Sequence, residues 1–394
     1  MKLIELKEKF TGIYGAGGEP EIYRAPGRVN LIGEHTDYND GLVLPIAIDL
    51  TIRALVRRNS KDVIRLYSTN LEEKGEIQVE PENSSKKSGD WTDYIRGIIF
   101  SMGEETRRAL SGLDILLCSE IPIGSGLSSS AALEMTVASA LNNEFGLDLE
   151  AIELVKLCQN AENEFVGANT GIMDQYVSYF GREGTALLID TARPSHQYVN
   201  LDLAGYELLV IDTAVSHTHE GNEYNRRRAE CEEALSLLKK TNKLDHLSSL
   251  SDLYPEDLGY VDSTLPKTLA NRTRHVVEEN QRVKAAAKLL KKGKIGKTGE
   301  LFFTSHRSLR DLYEVSCTEL DFLVNFARNQ GIPGARMTGG GFGGATIQVV
   351  PEDDADTYLK EAREAYLAEF GIEPEGFFVS PSNGVNYADP KGGD

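Results

Sequence analysis

Pro122-Ile123-Gly124-Ser125-Gly126-Leu127-Ser128-Ser129-Ser130-Ala131-Ala132 is the stretch around which the chain is organised. An apolar run, residues 113–121, precedes it and reads as a buried strand. A run rich in Ala, Leu and Met follows to residue 145 and reads as a helix. Glycines and serines therefore fall where a strand turns into a helix N-terminus. Free backbone N–H groups and the positive end of the helix dipole make such a place a ready anion site. Glycine also lets backbone approach a ligand closely. Two readings stand: a loop that cradles phosphate, or a plain strand–turn–helix connection capped by serine. The stretch is not a Walker A sequence, which needs G-x-x-x-x-G-K-[ST], because no lysine follows. Positive charge would have to come from Mg²⁺, an arginine or backbone dipoles.

Upstream, residues 25–41 read Ala-Pro-Gly-Arg-Val-Asn-Leu-Ile-Gly-Glu-His-Thr-Asp-Tyr-Asn-Asp-Gly. Short apolar pieces are interrupted by a density of charge that suits a pocket lining better than a surface loop. Downstream, residues 149–167 have helical period, with Leu154, Val155, Leu157, Cys158, Ala161 and Phe165 on one face. Glu162 lies at the edge of that apolar face. A carboxylate there must be paired, hydrogen-bonded or metal-bound, or else snorkel to water. Gly171-Ile172-Met173-Asp174-Gln175 is a glycine turn that presents an acid.

Residues 3–14 read as a short amphipathic helix, 43–57 and 63–68 as strands, and 91–110 as one helix. Strands at 186–190 and 207–212 bracket an expected domain boundary near residue 200, giving domains 1–200 and 201–394. The second half reads as helices at 224–240, 272–291, 298–312, 320–329 and 354–370, with a loop-rich stretch at 247–269 and strands at 345–350 and 376–379. Helices on one face of an antiparallel sheet make an α+β layer. Gly339, Gly341 and Gly344 fit G-x-G-x-x-G literally, but a helix is expected before them and a strand after, which is the wrong order for dinucleotide binding. A second backbone segment approaching the first glycine loop uses those residues better.

The 394 residues carry a net charge of −19, dispersed along the chain. That argues against a nucleic-acid groove and requires local positive groups for any anionic ligand. Four cysteines, Cys118, Cys158, Cys231 and Cys317, form no CxxC pair and read as buried thiols rather than a zinc site or disulfides. His217 and His219 lack further ligands at metal spacing and read as a solvated loop. No stretch approaches the roughly 18–20 apolar residues that span a bilayer, and no leader pattern begins the chain, so a cytoplasmic location is expected.

Residues 27–38 closely resemble the galactokinase signature, and residues 122–132 resemble the phosphate loop of the wider small-molecule kinase family of galactokinase, homoserine kinase, mevalonate kinase and phosphomevalonate kinase. Residues 339–344 resemble that family's third, glycine-rich motif. The first motif is specific; the other two identify the superfamily. The resemblance implies an α+β fold of two domains, the N-terminal one like domain 2 of ribosomal protein S5 and the C-terminal one ferredoxin-like, with ATP and sugar meeting in the cleft between them. It places Arg28 and Asp174 at catalytic positions. Glu34, His35, Thr36, Asp37, Gly171 and Tyr224 fall at sugar contacts. Gly124, Ser125, Gly126, Leu127, Ser128, Ser129, Ser130 and Ala131 fall at the ATP phosphates, Ser130 and Glu162 at Mg²⁺, and Gly339, Gly340, Gly341, Gly343 and Gly344 in the third motif. Trp91 falls near a position that packs on adenine in relatives.

The implied partners are D-galactose and ATP, with Mg²⁺ as cofactor, no nucleic acid and no membrane, in a monomer or weak dimer. Two rival readings remain at this stage. One is a related kinase for another sugar such as N-acetylgalactosamine, although residues 36–41 look like galactokinases. The other is a non-catalytic sugar sensor, against which the Ser130-Ala131 pair in the phosphate loop counts.

Overall fold

The computed structural model describes residues 1–78, 87–122, 124–215 and 220–385, without the side chains of residues 220–222. Ile123, His217, His219 and much of the polar loop expected at 83–90 lie outside the described residues.

The strand–loop–helix expected from the opening stretch is present. The strand Leu113–Ser119 is buried along almost its whole length, and the helix Ser129–Phe145 follows the glycine–serine turn. That strand pairs antiparallel with the long strand Pro45–Arg58 and parallel with Val63–Ser68. Adding Glu21–Asn30 at one edge and Glu73–Gln78 at the other completes a five-stranded sheet. Glu21–Asn30 was not expected as a strand. Its last six residues are all buried, so no apolar–polar alternation marks it. It delivers Arg28 from the sheet edge to the glycine loop and Asn30 to Glu34 and Thr338.

Leu42–Val43, Thr185–Asp190 and Ser195–Asn200 form a small three-stranded sheet. A four-stranded antiparallel sheet has the order Gly334–Thr338, Ala345–Pro351, Tyr206–Asp212, Glu375–Val379. Along Tyr206–Asp212 the pleat sends alternate side chains to opposite cores. Leu208 and Val210 join the largest apolar cluster, with Val29, Ile46 and Ile115 of the first sheet. Leu209 and Ile211 join a second cluster with Leu323, Tyr358 and Tyr366 from the helices Thr318–Asn329 and Ala355–Phe370. A third cluster lies among the helices Glu220–Lys239, Leu258–Thr264 and Lys267–Leu290.

Three expectations need correction. The glycine motif at 339–344 follows a strand, Gly334–Thr338, not a helix; it is the turn of a hairpin with Ala345–Pro351. The strand is short and buried at every position, so periodicity could not reveal it. The dinucleotide reading still fails, because a strand and not a helix comes next. Residues 91–110 form two helices, Asp93–Ser101 and Glu104–Arg108, broken at Met102-Gly103. Residues 247–269, expected to be loop-rich, contain the helix Leu258–Thr264 and two short 3₁₀ turns. No described helix is long and apolar enough to cross a membrane.

Candidate active site

A cavity of about 350 Å³ opens between the glycine–serine turn, the signature strand and the 339–344 hairpin. Its centre is an ion pair. Arg28, which is buried, donates from Nε to Asp174 Oδ1 at 2.7 Å and from Nη2 to Asp174 Oδ2 at 2.6 Å. This fork-on-fork geometry fixes both groups. Arg28 spends its remaining Nη1 on the Gly126 carbonyl at 2.7 Å, which ties the pair to the glycine loop. Asp174 opens the helix Met173–Phe180, where a carboxylate complements the helix dipole.

Ser128 occupies the N-cap position of the helix Ser129–Phe145, in the left-handed conformation at φ 59°. Serine there usually bonds its own helix end. Here its hydroxyl donates to Asp174 Oδ2 and no side chain caps the helix. Ser128, Ser129 and Ser130 form part of the cavity wall. Of the two readings of the opening stretch, the structure bears on the cap alone: no serine side chain caps this helix.

The second glycine motif closes the opposite wall. Gly339, Gly341, Gly343 and Gly344 all have positive φ. A Cβ on Gly339 would come 3.3 Å from the Gly126 carbonyl, so the two glycine turns approach backbone to backbone. This is the close approach that the sequence suggested.

The acidic end of the cavity contains Glu34, His35, Asp37 and Tyr224. Glu34 is buried and heavily engaged by protein groups. It is ion-paired with the buried Arg336 at 2.5 Å, and accepts from Asn30 Nδ2 at 2.8 Å, the Gly339 N–H at 3.1 Å and Thr338 Oγ1 at 3.3 Å. Asp37 is pushed up to about 6 by burial and by the neighbouring Asp174 charge. His35 is held down to about 3, chiefly by burial, so the imidazole is neutral. Its Nδ1 meets Tyr38 Oη at 2.7 Å and its Nε2 meets the Gly340 carbonyl at 3.0 Å. The Tyr224 ring packs on His35 and Tyr38 with centroid separations of 5.4 and 5.5 Å.

Glu162 lies on a π-helical turn, Ala161–Val166, that extends the helix Ala151–Asn160. Such turns often re-aim a side chain at a functional site. The carboxylate is buried rather than snorkelled. It accepts from Ser130 Oγ at 3.0 Å, Thr170 Oγ1 at 2.9 Å and Gln175 Nε2 at 2.7 Å. Burial, then the Asp174 charge, raises its pKa, so the site favours a proton or a cation there. Ser130 Oγ and Glu162 are oxygen donors of the hard kind that Mg²⁺ takes, so the residues present would fit that cation. Among the described residues no group of three or more His, Cys, Asp or Glu could hold a metal ion.

Some expected site residues lie behind the wall. Thr36 Oγ1 bonds the Gly33 and Leu42 carbonyls, both at 2.8 Å, and shapes the signature turn. Ser125 Oγ bonds the Pro122 carbonyl at 2.8 Å, and Leu127 and Ala131 are buried. Trp91 does not line the cavity; its Nε1 donates to Glu73 at 3.1 Å. Sequence reasoning missed Thr170, Gln175, Glu134 and Arg336. Glu134, fully buried, shares the Gln175 amide with Glu162, accepting at 3.0 Å. A carboxylate inside the otherwise small, apolar helix Ser129–Phe145 was the available signal for it.

Comparison with known proteins shows the family. Residues 8–58 match the galactokinase galactose-binding signature, residues 93–182 the GHMP kinases N terminal domain, and residues 286–368 the GHMP kinases C terminal family. A galactokinase of Thermosipho africanus is 44% identical over 363 residues, 92% of this chain and 98% of the relative. One of Clostridium beijerinckii is 38% identical over 383 residues, covering 96% and 97%. The crystal structure of Lactococcus lactis galactokinase complexed with galactose superposes with a TM-score of 0.91 at 36% identity, covering 97% of this chain and 98% of that one. Methanococcus jannaschii mevalonate kinase, at 22% identity and a TM-score of 0.64, shares the fold. The chain has the mixed α/β fold of the GHMP kinases and belongs to the galactokinase family.

Proposed function

We propose that the chain transfers the γ-phosphoryl group of ATP to the anomeric hydroxyl of D-galactose, giving galactose 1-phosphate and ADP, the first committed step of galactose breakdown. The observation that carries this is the Arg28–Asp174 pair, set between an uncapped helix N-terminus and the acidic wall of Asp37 and Tyr224 in one cavity. Phosphoryl transfer demands positioning and charge neutralisation more than covalent help. The N–H groups at Ser129 and Ser130 receive phosphate oxygens. Asp37 accepts from sugar hydroxyls, with Tyr224 beside it. Asp174 accepts the proton of the attacking hydroxyl or orients that hydroxyl. Arg28 holds Asp174 in place and offsets charge developing on the phosphoryl group. Ser130 and Glu162 would hold Mg²⁺, which would supply charge neutralisation at the phosphates.

The division into domains 1–200 and 201–394, ribosomal protein S5 domain 2-like and ferredoxin-like, is part of this reading. What supports it is the distribution of strands: the five- and three-stranded sheets use residues up to Asn200, and the four-stranded sheet begins at Tyr206. The four free thiols suit a reducing cytoplasm.

The test is the product. With ATP, Mg²⁺ and galactose, the sugar should lose its reducing end as it gains phosphate, because the anomeric oxygen becomes esterified. A phosphorylated product that remains a reducing sugar would contradict the assignment.

A further inference from the structure

Both ring nitrogens of His35 are occupied by protein partners, and the contacts have a direction. The Gly340 carbonyl can only accept, so at 3.0 Å His35 Nε2 carries the proton. In a neutral ring Nδ1 then accepts, and Tyr38 Oη at 2.7 Å is its donor. Having given its proton to His35, the Tyr38 oxygen accepts from Tyr313 Oη at 2.9 Å. Tyr313, wholly buried, accepts in turn from the Cys231 thiol at 3.0 Å. Burial pushes that thiol up to about 11, so it keeps its proton and can donate.

We propose that Cys231, Tyr313 and Tyr38 are positioning residues: their one-way chain of hydrogen bonds locks His35 as the Nε2–H tautomer and thereby tethers the Gly340 carbonyl to the signature turn. His35 on this account clamps the hairpin to the sugar wall and does not itself donate to sugar. The clamp matters because Tyr224 rests on both partners. A Cβ on Gly340 would lie 3.4 Å from the Tyr224 ring, and the His35 ring is 5.4 Å from it between centroids. Tyr313 also packs on His35 at 4.9 Å and on His275 at 4.5 Å, and His275 Nε2 contacts the Glu34 carbonyl at 3.1 Å. The relay therefore ties the second-half helices to the residues on either side of His35.

The functional part of this inference rests on the galactose-kinase reading; the tautomer does not. The test is ¹⁵N NMR of the imidazoles in histidine-labelled protein, with the His35 signals identified by their loss in His35→Gln. The unaltered chain should carry the His35 proton on Nε2. In Tyr313→Phe the Tyr38 hydroxyl loses the bond it accepts and is freer to turn away from Nδ1, so the Nδ1 signal should move toward that of an unbonded imine nitrogen while the proton stays on Nε2 against the Gly340 carbonyl. The same variant should raise the galactose KM about fivefold or more while kcat stays within about twofold, the signature of lost ground-state positioning. Tyr38→Phe should act in the same direction and more strongly. An Nδ1–H tautomer in the unaltered chain overturns the proposal, as does an Nδ1 signal unmoved in both tyrosine variants. Failure to phosphorylate galactose at all, with Nε2–H observed, would remove the substrate reading and leave the relay standing.

Discussion

The Asp37 carboxylate lies where a side chain on Gly171 would have to be: a Cβ built on Gly171 overlaps Asp37 Oδ2 and Cγ. Glycine is required here by close approach and not by a left-handed backbone, since Gly171 does not have positive φ. Gly171→Ala should displace Asp37 from the sugar wall. Overpacking of this kind costs about 1–3 kcal/mol of stability, so the thermal midpoint should fall by a few degrees, and the displaced Asp37 should raise the galactose KM roughly tenfold. Parallel kinetics and thermal unfolding check both halves, and an unchanged KM would show that Asp37 does not define the sugar pocket.

Asp174→Asn keeps the size of the side chain but removes the base and one of the two bonds it accepts from Arg28. Turnover should fall by roughly 10²–10⁴-fold, while galactose binding measured by calorimetry stays within a few-fold. Arg28→Lys should be nearly as damaging, because an ammonium cannot make the two parallel bonds that hold Asp174. Near-normal turnover in Asp174→Asn would remove that residue from the chemistry.

Glu162→Ala should shift the Mg²⁺ titration of activity to higher concentration by about tenfold or more, and weaken Mn²⁺–nucleotide binding measured by electron paramagnetic resonance. Gln175→Ala, which leaves Glu162 Oε2 held by Thr170 alone, should shift it in the same direction by less. Titrations that coincide with the parent would make the π-helical turn a structural feature only.

His275 is buried with its imidazole lowered to about 4, chiefly by burial. Its folded value lies below its unfolded one near 6.5, so its contribution to stability is present above about pH 6.5 and is lost as pH falls toward 4. Between pH 6 and 5 the unfolded chain binds a proton that the folded chain does not, at about 1.4 kcal/mol per pH unit. His275→Gln removes that term. Urea unfolding across this range should show a stability slope flatter by about that amount, and parallel slopes would mean that His275 is charged in the folded chain.

The sequence announced the parts of this site whose chemistry is local. A strand feeding a glycine–serine turn and a helix is a short-range pattern, and so is the acid presented at Gly171–Gln175. The signature residues stood out because charge interrupts apolar residues. What stayed hidden depends on distant partners. Nothing near Glu34 says that Arg336 will meet it, and nothing near Ser128 says that its hydroxyl will turn from its own helix to Asp174. The strands Glu21–Asn30 and Gly334–Thr338 were missed because burial on both faces erases the alternation by which strands are read. Glu162 stood at the edge of an apolar face, where metal ligand and snorkelling acid look alike; a π-helical turn that no local periodicity encodes brings it inside.

The central claim is that this cavity phosphorylates galactose. ADP release coupled to a reporter, with the purified chain, ATP and Mg²⁺, measures it across galactose, glucose, N-acetylgalactosamine and mevalonate. The account predicts rapid, saturable release with galactose and at least about a hundredfold lower kcat/KM with the other three. Comparable or faster release with any of them, or none with galactose, would contradict it.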